Sequence, residues 1–409
     1  MSIKDESKVY LEVKSISEIN ENELQLLKLS QLEGLAPIQI WTACGTNQQM
    51  GYSTHGIFRY FGKFPPVIAS YLINKYTLEG DTVFDPMCGS GTTGVEALIL
   101  KRNFLLNDIN PLSILLSKVK TTYLSKDLLR SYAEKLYCEY RPLKFSEYQF
   151  EPAYLKNYKH WFLPETVDSL RGLKYLIQQI ENSDVKDFFN VCFAGTVRRV
   201  SRATTQQGRL FLDINTAEID ALPFFIKKVE LAIERISTLS NDNNSEIFSH
   251  DIRTPLPDSK IDCADLIICH PPYFNSYKYS SINSLELSWL DINYSDLRKK
   301  EVKEFFKVGK ESNAQFYVND MVQSLINLHK ALKKDSVLGL MIGDTTIHGN
   351  YLPVTKQILD KISEYYIIEL IALRAPKYTE AAWVASQRRQ KSSVGITLYD
   401  FIIILRKKS

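Results

Sequence analysis

With 409 residues, of which 44% are hydrophobic and 24% charged, the chain has the make-up of a soluble globular protein, large enough for one α/β domain with an insertion or for two domains. A formal net charge of only +3 excludes global basicity as a way of holding nucleic acid, so any such surface must be a local cluster. The six cysteines (Cys44, Cys88, Cys138, Cys192, Cys263, Cys269) form no C-x-x-C pair, which argues against zinc and disulfides and for a reduced, cytoplasmic setting. The first residues have no apolar signal region, and no apolar run approaches membrane-spanning length.

Residues 1–50 are mixed and charged, and a helical N-terminal extension is expected there. The stretch from Thr54 to Pro66 follows, with Lys63, Phe64 and Pro65 in a stiff turn before a helix over 67–76. Thr82 to Thr93 then reads as strand, glycine-rich turn and helix start. Asp85 closes the strand, and Pro86, Met87, Cys88, Gly89, Ser90 and Gly91 make the turn into Thr92 and Thr93. Gly89 and Gly91 let the backbone pass close to a ligand, and the helix start offers free N–H groups. A second strand, 103–108, ends in Asp108, 19 residues after Gly89, the spacing at which an acid meets ribose hydroxyls in nucleotide-binding folds. G-x-G-x-x-G is absent and no Lys follows the turn, so a nucleoside cofactor without pyrophosphate is expected.

Helical periodicity governs 126–140, 164–182, 184–200 and 216–239. A region this long between strands is an insertion and not a loop. It carries Arg198, Arg199, Arg202 and Arg209 among Ser, Thr and Gln, a composition suited either to gripping phosphates or to a solvated helix end. Strands resume at 246–250, ending in Asp251 and Ile252, and at 265–269, ending in His270-Pro271-Pro272-Tyr273. The paired prolines stop the strand and stiffen the loop, leaving carbonyl acceptors beside an aromatic face. That pairing suits a flat, amine-bearing ligand such as a nucleobase. Further strands are expected at 337–342, near Asp344, at 367–373 and at 395–407. The last follows the basic loop of Arg388 and Arg389 and reads as an antiparallel strand slotted into a parallel sheet.

Together these segments resemble the amino-methyltransferases of DNA, which modify an exocyclic nitrogen of cytosine or adenine. Asp85–Thr93 is similar to their cofactor loop, Asp108-Ile109-Asn110-Pro111 to the ribose-binding acid, and Asp251 to the acid facing the adenine amine. Phe61–Pro66 resembles the element supporting the methionine end, and His270–Tyr273 the catalytic tetrapeptide. The resemblance implies an α/β fold with a seven-stranded Rossmann-like sheet. It also implies S-adenosylmethionine as cofactor, no metal, and double-stranded DNA as substrate, with an associated restriction endonuclease as a possible partner. The catalytic domain would comprise 51–119 and 246–409, interrupted by a helical insertion, 120–245, reading the target. Arg198, Arg199, Arg202, Arg209, Lys278, Arg388 and Arg389 would contact DNA.

His270 departs from the Ser, Asn or Asp usual at the head of the tetrapeptide. A neutral imidazole can accept a hydrogen bond from the target amine, whereas an imidazolium cannot; alternatively, the backbone does this and His270 only shapes the pocket. Flanking residues favour cytosine N4 as the target, with adenine N6 the alternative, then an RNA methyltransferase, then a non-catalytic nucleic-acid-binding module. A C5-cytosine mechanism would need a thiol in the loop, and Cys269 is expected to point into the sheet instead.

Overall fold

The computed structural model describes residues 9–206, 209–217, 219–239, 245–274, 279–302, 312–347, 350–374, 394–396 and 399–408. In chain order its strands are β1 (Tyr10–Ser15), β2 (Ile38–Cys44), β3 (Thr82–Asp85), β4 (Asn103–Asn107), β5 (Ala203–Gln206), β6 (Arg209–Leu212) and β7 (Ser245–Phe248). They continue with β8 (Ala264–Cys269), β9 (Leu332–Ile342), β10 (Thr345–Ile347), β11 (Asn350–Leu352), β12 (Tyr366–Arg374), β13 (Val394–Ile396) and β14 (Asp400–Lys407). Nine of them form one sheet in the order β1-β2-β12-β14-β9-β8-β3-β4-β7. Neighbours from β9 through β8, β3 and β4 to β7 pair parallel, and β14 runs antiparallel between β9 and β12.

The sheet has nine strands where seven were expected, and the difference lies in the N-terminal segment. Among the described residues its α-helical part is Glu21–Ser30, a helix started by an Asn20–Glu23 capping box. On either side β2 adds parallel to β12 and β1 adds antiparallel to β2. Ile38, Ile40 and Trp41 are buried, so β2 is an interior strand, and the charged β1 takes the exposed edge.

Side chains alternate across the sheet and build two cores. Leu266 and Ile268 face the layer formed by helices Pro66–Tyr76 and Thr92–Ile99. Ile267 and Cys269 face helices Ser312–Ala331 and Val354–Lys361. A third core belongs to the helical region, with Leu170, Phe188, Phe189, Phe193 and Phe225 buried together. Helices Lys126–Glu139, Pro164–Gln178, Ser183–Val200 and Leu222–Ile236 form there, alongside the short β5–β6 hairpin. Pro111–Thr121 from the N-terminal side, and Leu285, Leu287 and Trp289 from beyond the tetrapeptide, pack into the same core. The helical region is therefore fastened directly to the segment that follows the His-Pro-Pro-Tyr loop.

Candidate active site

The loop after β3 is built from its buried acid outward. Asp85 accepts hydrogen bonds from Thr93 Oγ1 at 2.5 Å and from the Met87 backbone at 3.1 Å, tying the start of the turn to the helix that follows. Burial pushes its carboxyl up to about 7 against those two donors. Asp85 braces the loop from within. Gly91 adopts φ +75°, and a Cβ there would lie 2.9 Å from the Ser117 Cα, so only glycine lets the turn rest on the neighbouring helix. Lys120, buried beneath, donates to the Ser90 carbonyl at 2.9 Å. On the open side, Asp108 accepts from the Gly89 N–H at 2.9 Å through one oxygen and from the Asn110 N–H at 2.9 Å through the other. Its carboxylate is thus fixed beside the glycine turn, with lone pairs left for hydroxyl donors.

The segment before this loop is anchored from below. His55 Nε2 meets Glu96 Oε1 at 2.7 Å and the Tyr52 hydroxyl donates to the same oxygen at 2.6 Å, all within helix contact of the cofactor-type loop. Burial pushes the His55 imidazole below its ordinary range, against the opposing pull of Glu96. This anchor holds Lys63 and Phe64 over the cleft, and the Phe64 ring meets the His270 ring edge-on at 5.4 Å.

Beyond β8, the His270 Nε2 lies 3.1 Å from the Tyr273 hydroxyl, and the two rings are 5.3 Å apart at 86°. The Pro272 carbonyl accepts from the Tyr317 hydroxyl at 2.9 Å. The Pro271 carbonyl has no hydrogen-bond partner among the described residues. Burial, helped by the Arg374 guanidinium and opposed by Asp400, pushes His270 down to about 4, so the imidazole is neutral at ordinary pH. Cys269 is fully buried on the opposite face of the sheet, and burial pushes its thiol well up. It does not face the loop as a nucleophile.

One cleft unites these parts. Lys63, Phe64, Pro86, Met87, Cys88, Gly89, Ser90, Thr92, Asp108, Ile109, Asp251, Ile252, His270 and Pro272 all line it. Pro65, Asp85, Gly91, Thr93, Pro271 and Tyr273 stand outside its wall. Sequence reasoning missed Tyr60, Asn107, Asn110 and His250, which flank motifs already singled out. It also missed Lys300, Glu301 and Val302, which come from a distant part of the chain. Asp251 is held by Arg253 through Nε at 2.8 Å and Nη2 at 2.7 Å, and the hydrogen bond to that guanidinium lowers its carboxyl. Arg253 also reaches Asp320 at 3.2 Å and the Lys300 carbonyl at 2.7 Å, linking the acid to the far wall.

The expected DNA-contacting arginines do not form one surface. Arg198 corrects its reading: it pairs with Glu286 at 2.8 Å through both Nε and Nη2, also donating to the Ile282 carbonyl, and Glu286 is 3% exposed. A guanidinium spent on a buried carboxylate is not offered to phosphate. Arg199 is exposed and lies over the Phe224 ring at 5.3 Å. Arg202 is half-buried, its Nε lacking a hydrogen-bond partner among the described residues, and Arg209 starts β6. Lys278, Arg388 and Arg389 lie outside the described residues. Asp344 accepts from the Thr355 N–H at 2.8 Å and the Tyr351 hydroxyl at 2.7 Å, which makes it a cap for the helix Val354–Lys361. Among the described residues no group of three or more His, Cys, Asp or Glu could hold a metal ion, and no helix is long and apolar enough to cross a membrane.

The DNA methylase family model (N6/N4 type) matches residues 4–118, which include the Lys63–Pro66 turn, the glycine loop and Asp108. The chain is 27% identical over 263 residues to the Type II methyltransferase M.MvaI of Kocuria varians, covering 59% of this chain and 58% of that one. It is 25% identical over 280 residues to the Type II methyltransferase M.BsoBI of Geobacillus stearothermophilus, covering 60% and 54%. M.MjaII of Methanocaldococcus jannaschii, also a Type II methyltransferase, is 22% identical over 389 residues, covering 71% and 72%. The chain thus spans little more than half the length of the first two relatives. The glycine loop and the paired acid fall within the segment that matches the DNA methylase model, and the longer alignments show that the chain is similar to Type II methyltransferases.

Proposed function

We propose that the protein methylates the exocyclic amine of a base in DNA, cytosine N4 in particular, using S-adenosylmethionine. The observation that carries this reading is the single cleft joining the glycine loop and Asp108 to His270 and Pro272. The residues present fit that cofactor. Asp108, fixed between two backbone donors, offers acceptors for ribose hydroxyls, Ile109 and Ile252 offer apolar walls for a purine, and Lys63 offers a cation for a carboxylate. Bound there, the cofactor supplies an electrophilic methyl group on sulfur.

The chain's own groups act on the base. An exocyclic amine has its lone pair delocalised into the ring and is a poor nucleophile, so acceptors that hold its hydrogens favour the reactive, pyramidal form. The Pro271 carbonyl is one such acceptor. His270 is neutral, but its Nε2 faces the Tyr273 hydroxyl, so its part is to orient Tyr273. Rotating the base out of the duplex costs a few kcal/mol, and stacking on Tyr273 returns about 1–3 kcal/mol.

Arg199, Arg202 and Arg209, with Lys278, Arg388 and Arg389, are proposed to contact the duplex. The relatives' names, Type II methyltransferases, support a place in restriction-modification; an endonuclease as functional partner and the cytoplasm as location are part of the same proposal. Mass analysis of nucleosides from DNA incubated with the protein and labelled S-adenosylmethionine tests the reading. Labelled N4-methylcytosine is expected. N6-methyladenine would keep the chemistry and change the base, and unlabelled DNA would overturn the proposal.

A further inference from the structure

The ends of adjacent strands beside the tetrapeptide carry a polar pair, Arg374 and Asp400. Arg374 closes β12 and lies opposite Asp400, the first residue of β14, in their antiparallel register. The neighbouring register pairs Phe401 with Ile342, which sets Asp400 beside Gly343. Ile268, Met341, Ala372 and Ile402 share one face of the sheet. By alternation, His270, Gly343, Arg374 and Asp400 extend that face at its upper edge.

Asp400 is 5% exposed. Its Oδ2 pairs with Arg374 Nη1 at 3.3 Å, while its Oδ1 has no hydrogen-bond partner among the described residues. An unsatisfied buried carboxylate oxygen is rare and calls for a donor. The surroundings say where that donor would come from. A Cβ placed on Gly343 would lie 3.0 Å from the Tyr273 ring and 3.5 Å from Asp400 Oδ1. The bare glycine therefore lets the Tyr273 ring and a carboxylate oxygen converge on the same small volume.

We infer that Asp400 Oδ1 receives an exocyclic N–H of the target base stacked on Tyr273, with Arg374 holding the carboxylate in place. The inference rests on the proposed methylation of an amine and deepens it. It also accounts for His270: the acceptor that the first position of the tetrapeptide usually carries is supplied here from β14, two strands away in the sheet. Together with the Pro271 carbonyl, Asp400 would hold both hydrogens of the amine. An edge that demands a donor selects bases bearing an amine, cytosine or adenine, over thymine.

The test compares wild type, Asp400→Leu and Asp400→Asn on duplexes carrying either the target base or its analogue without the amine, pyrimidin-2-one or purine. Methylated sites in host DNA define the duplex. For Asp400→Leu, kcat/KM for DNA is expected to fall about ten- to a hundredfold with unchanged cofactor affinity, and the preference for the amine-bearing duplex in binding to disappear. Asp400→Asn keeps the shape with a weaker, neutral acceptor; it carries the test if the Leu variant loses its melting transition, and a partial loss of amine preference is expected. A preference equal to wild type in whichever variant folds overturns the inference. Wild-type protein that labels no DNA overturns the underlying reading instead.

Discussion

Tyr317 donates its hydroxyl hydrogen to the Pro272 carbonyl at 2.9 Å, from a helix 45 residues downstream. Its ring is fully buried and lies 5.6 Å from Phe274, so the hydroxyl arrives on a fixed stem. The contact removes one of the two proline carbonyls from the pool of acceptors and leaves Pro271 to face a ligand. Tyr317→Phe deletes this bond, at a cost of about 1–3 kcal/mol for the carbonyl left unsatisfied. Chemical denaturation should register that loss. kcat should drop with little change in cofactor Kd, and an unaltered kcat would show that Tyr317 merely packs.

Tyr273 offers the contrasting case, because its ring lies over Gly343 and outside the cofactor cleft. Replacement by Ala removes the stacking face but none of the groups lining that cleft. Turnover should fall about 5- to 150-fold, judging by the about 1–3 kcal/mol of a base–aromatic contact, while calorimetric cofactor affinity stays at the wild-type value. Parallel loss of cofactor binding would move Tyr273 into the cofactor site.

Much of this site was legible because its parts are local. Asp85, the glycine turn and Asp108 fall within one strand-turn-helix-strand unit, where spacing alone dictates proximity, and two prolines announce the end of β8. The seven-stranded frame followed from strand order and the late antiparallel strand. What escaped depends on long-range register. β2 is joined to the rest of the sheet by β12, more than three hundred residues later, so a mixed, charged N-terminal segment gave no sign of an interior strand. Arg198 looked like a surface cation because composition cannot report burial; its partner Glu286 is 88 residues away. Lys300–Val302 carry no motif, and enter the cleft because Arg253 ties their backbone to Asp251.

The pH behaviour of His270 follows from its surroundings. Its pKa falls from the ordinary 6.5 to about 4, chiefly because burial disfavours the charged ring. The unfolded chain therefore binds a proton between those values that the folded chain refuses. This residue's contribution to stability is complete above about pH 6.5 and is lost as pH falls toward 4. Turnover should show no His270-dependent break near pH 6.5. Denaturation midpoints of wild type and His270→Asn, compared from pH 8 to pH 4, should approach one another on the acid side. A constant gap would mean that His270 titrates no differently in the folded state.

Arg253 holds Asp251 by two nitrogens and reaches across to the Lys300 carbonyl and Asp320. Arg253→Met keeps much of the stem and removes every one of these bonds. Asp251, whose carboxyl is lowered chiefly by this guanidinium, would then be freer to move and more readily protonated. The cofactor KM should rise about tenfold or more, from loss of charge-assisted bonds of about 1.5–3 kcal/mol, with the DNA KM much less affected. Arg253→Lys, able to restore one contact, should recover part of it. Equal effects on both KM values would indicate general loosening of the fold.

The Arg198–Glu286 pair separates a structural role from a DNA-binding one. Arg198 sits near the end of the Ser183–Val200 helix and Glu286 in Ser284–Trp289, so their bidentate contact joins the helical core to the segment after the tetrapeptide. Arg198→Met would strand a nearly fully buried carboxylate, and breaking such a pair costs about 3–5 kcal/mol. The denaturation midpoint should fall accordingly. At temperatures where the variant remains folded, the salt dependence of DNA binding should match wild type, since no phosphate contact is lost. Exposed Arg199 supplies the control, because replacing it should flatten the salt slope and leave stability within about 0.5 kcal/mol. If Arg198→Met instead flattens the slope without lowering the midpoint, the guanidinium must leave Glu286 for DNA, and the pair is a switch between two partners and not a fastening.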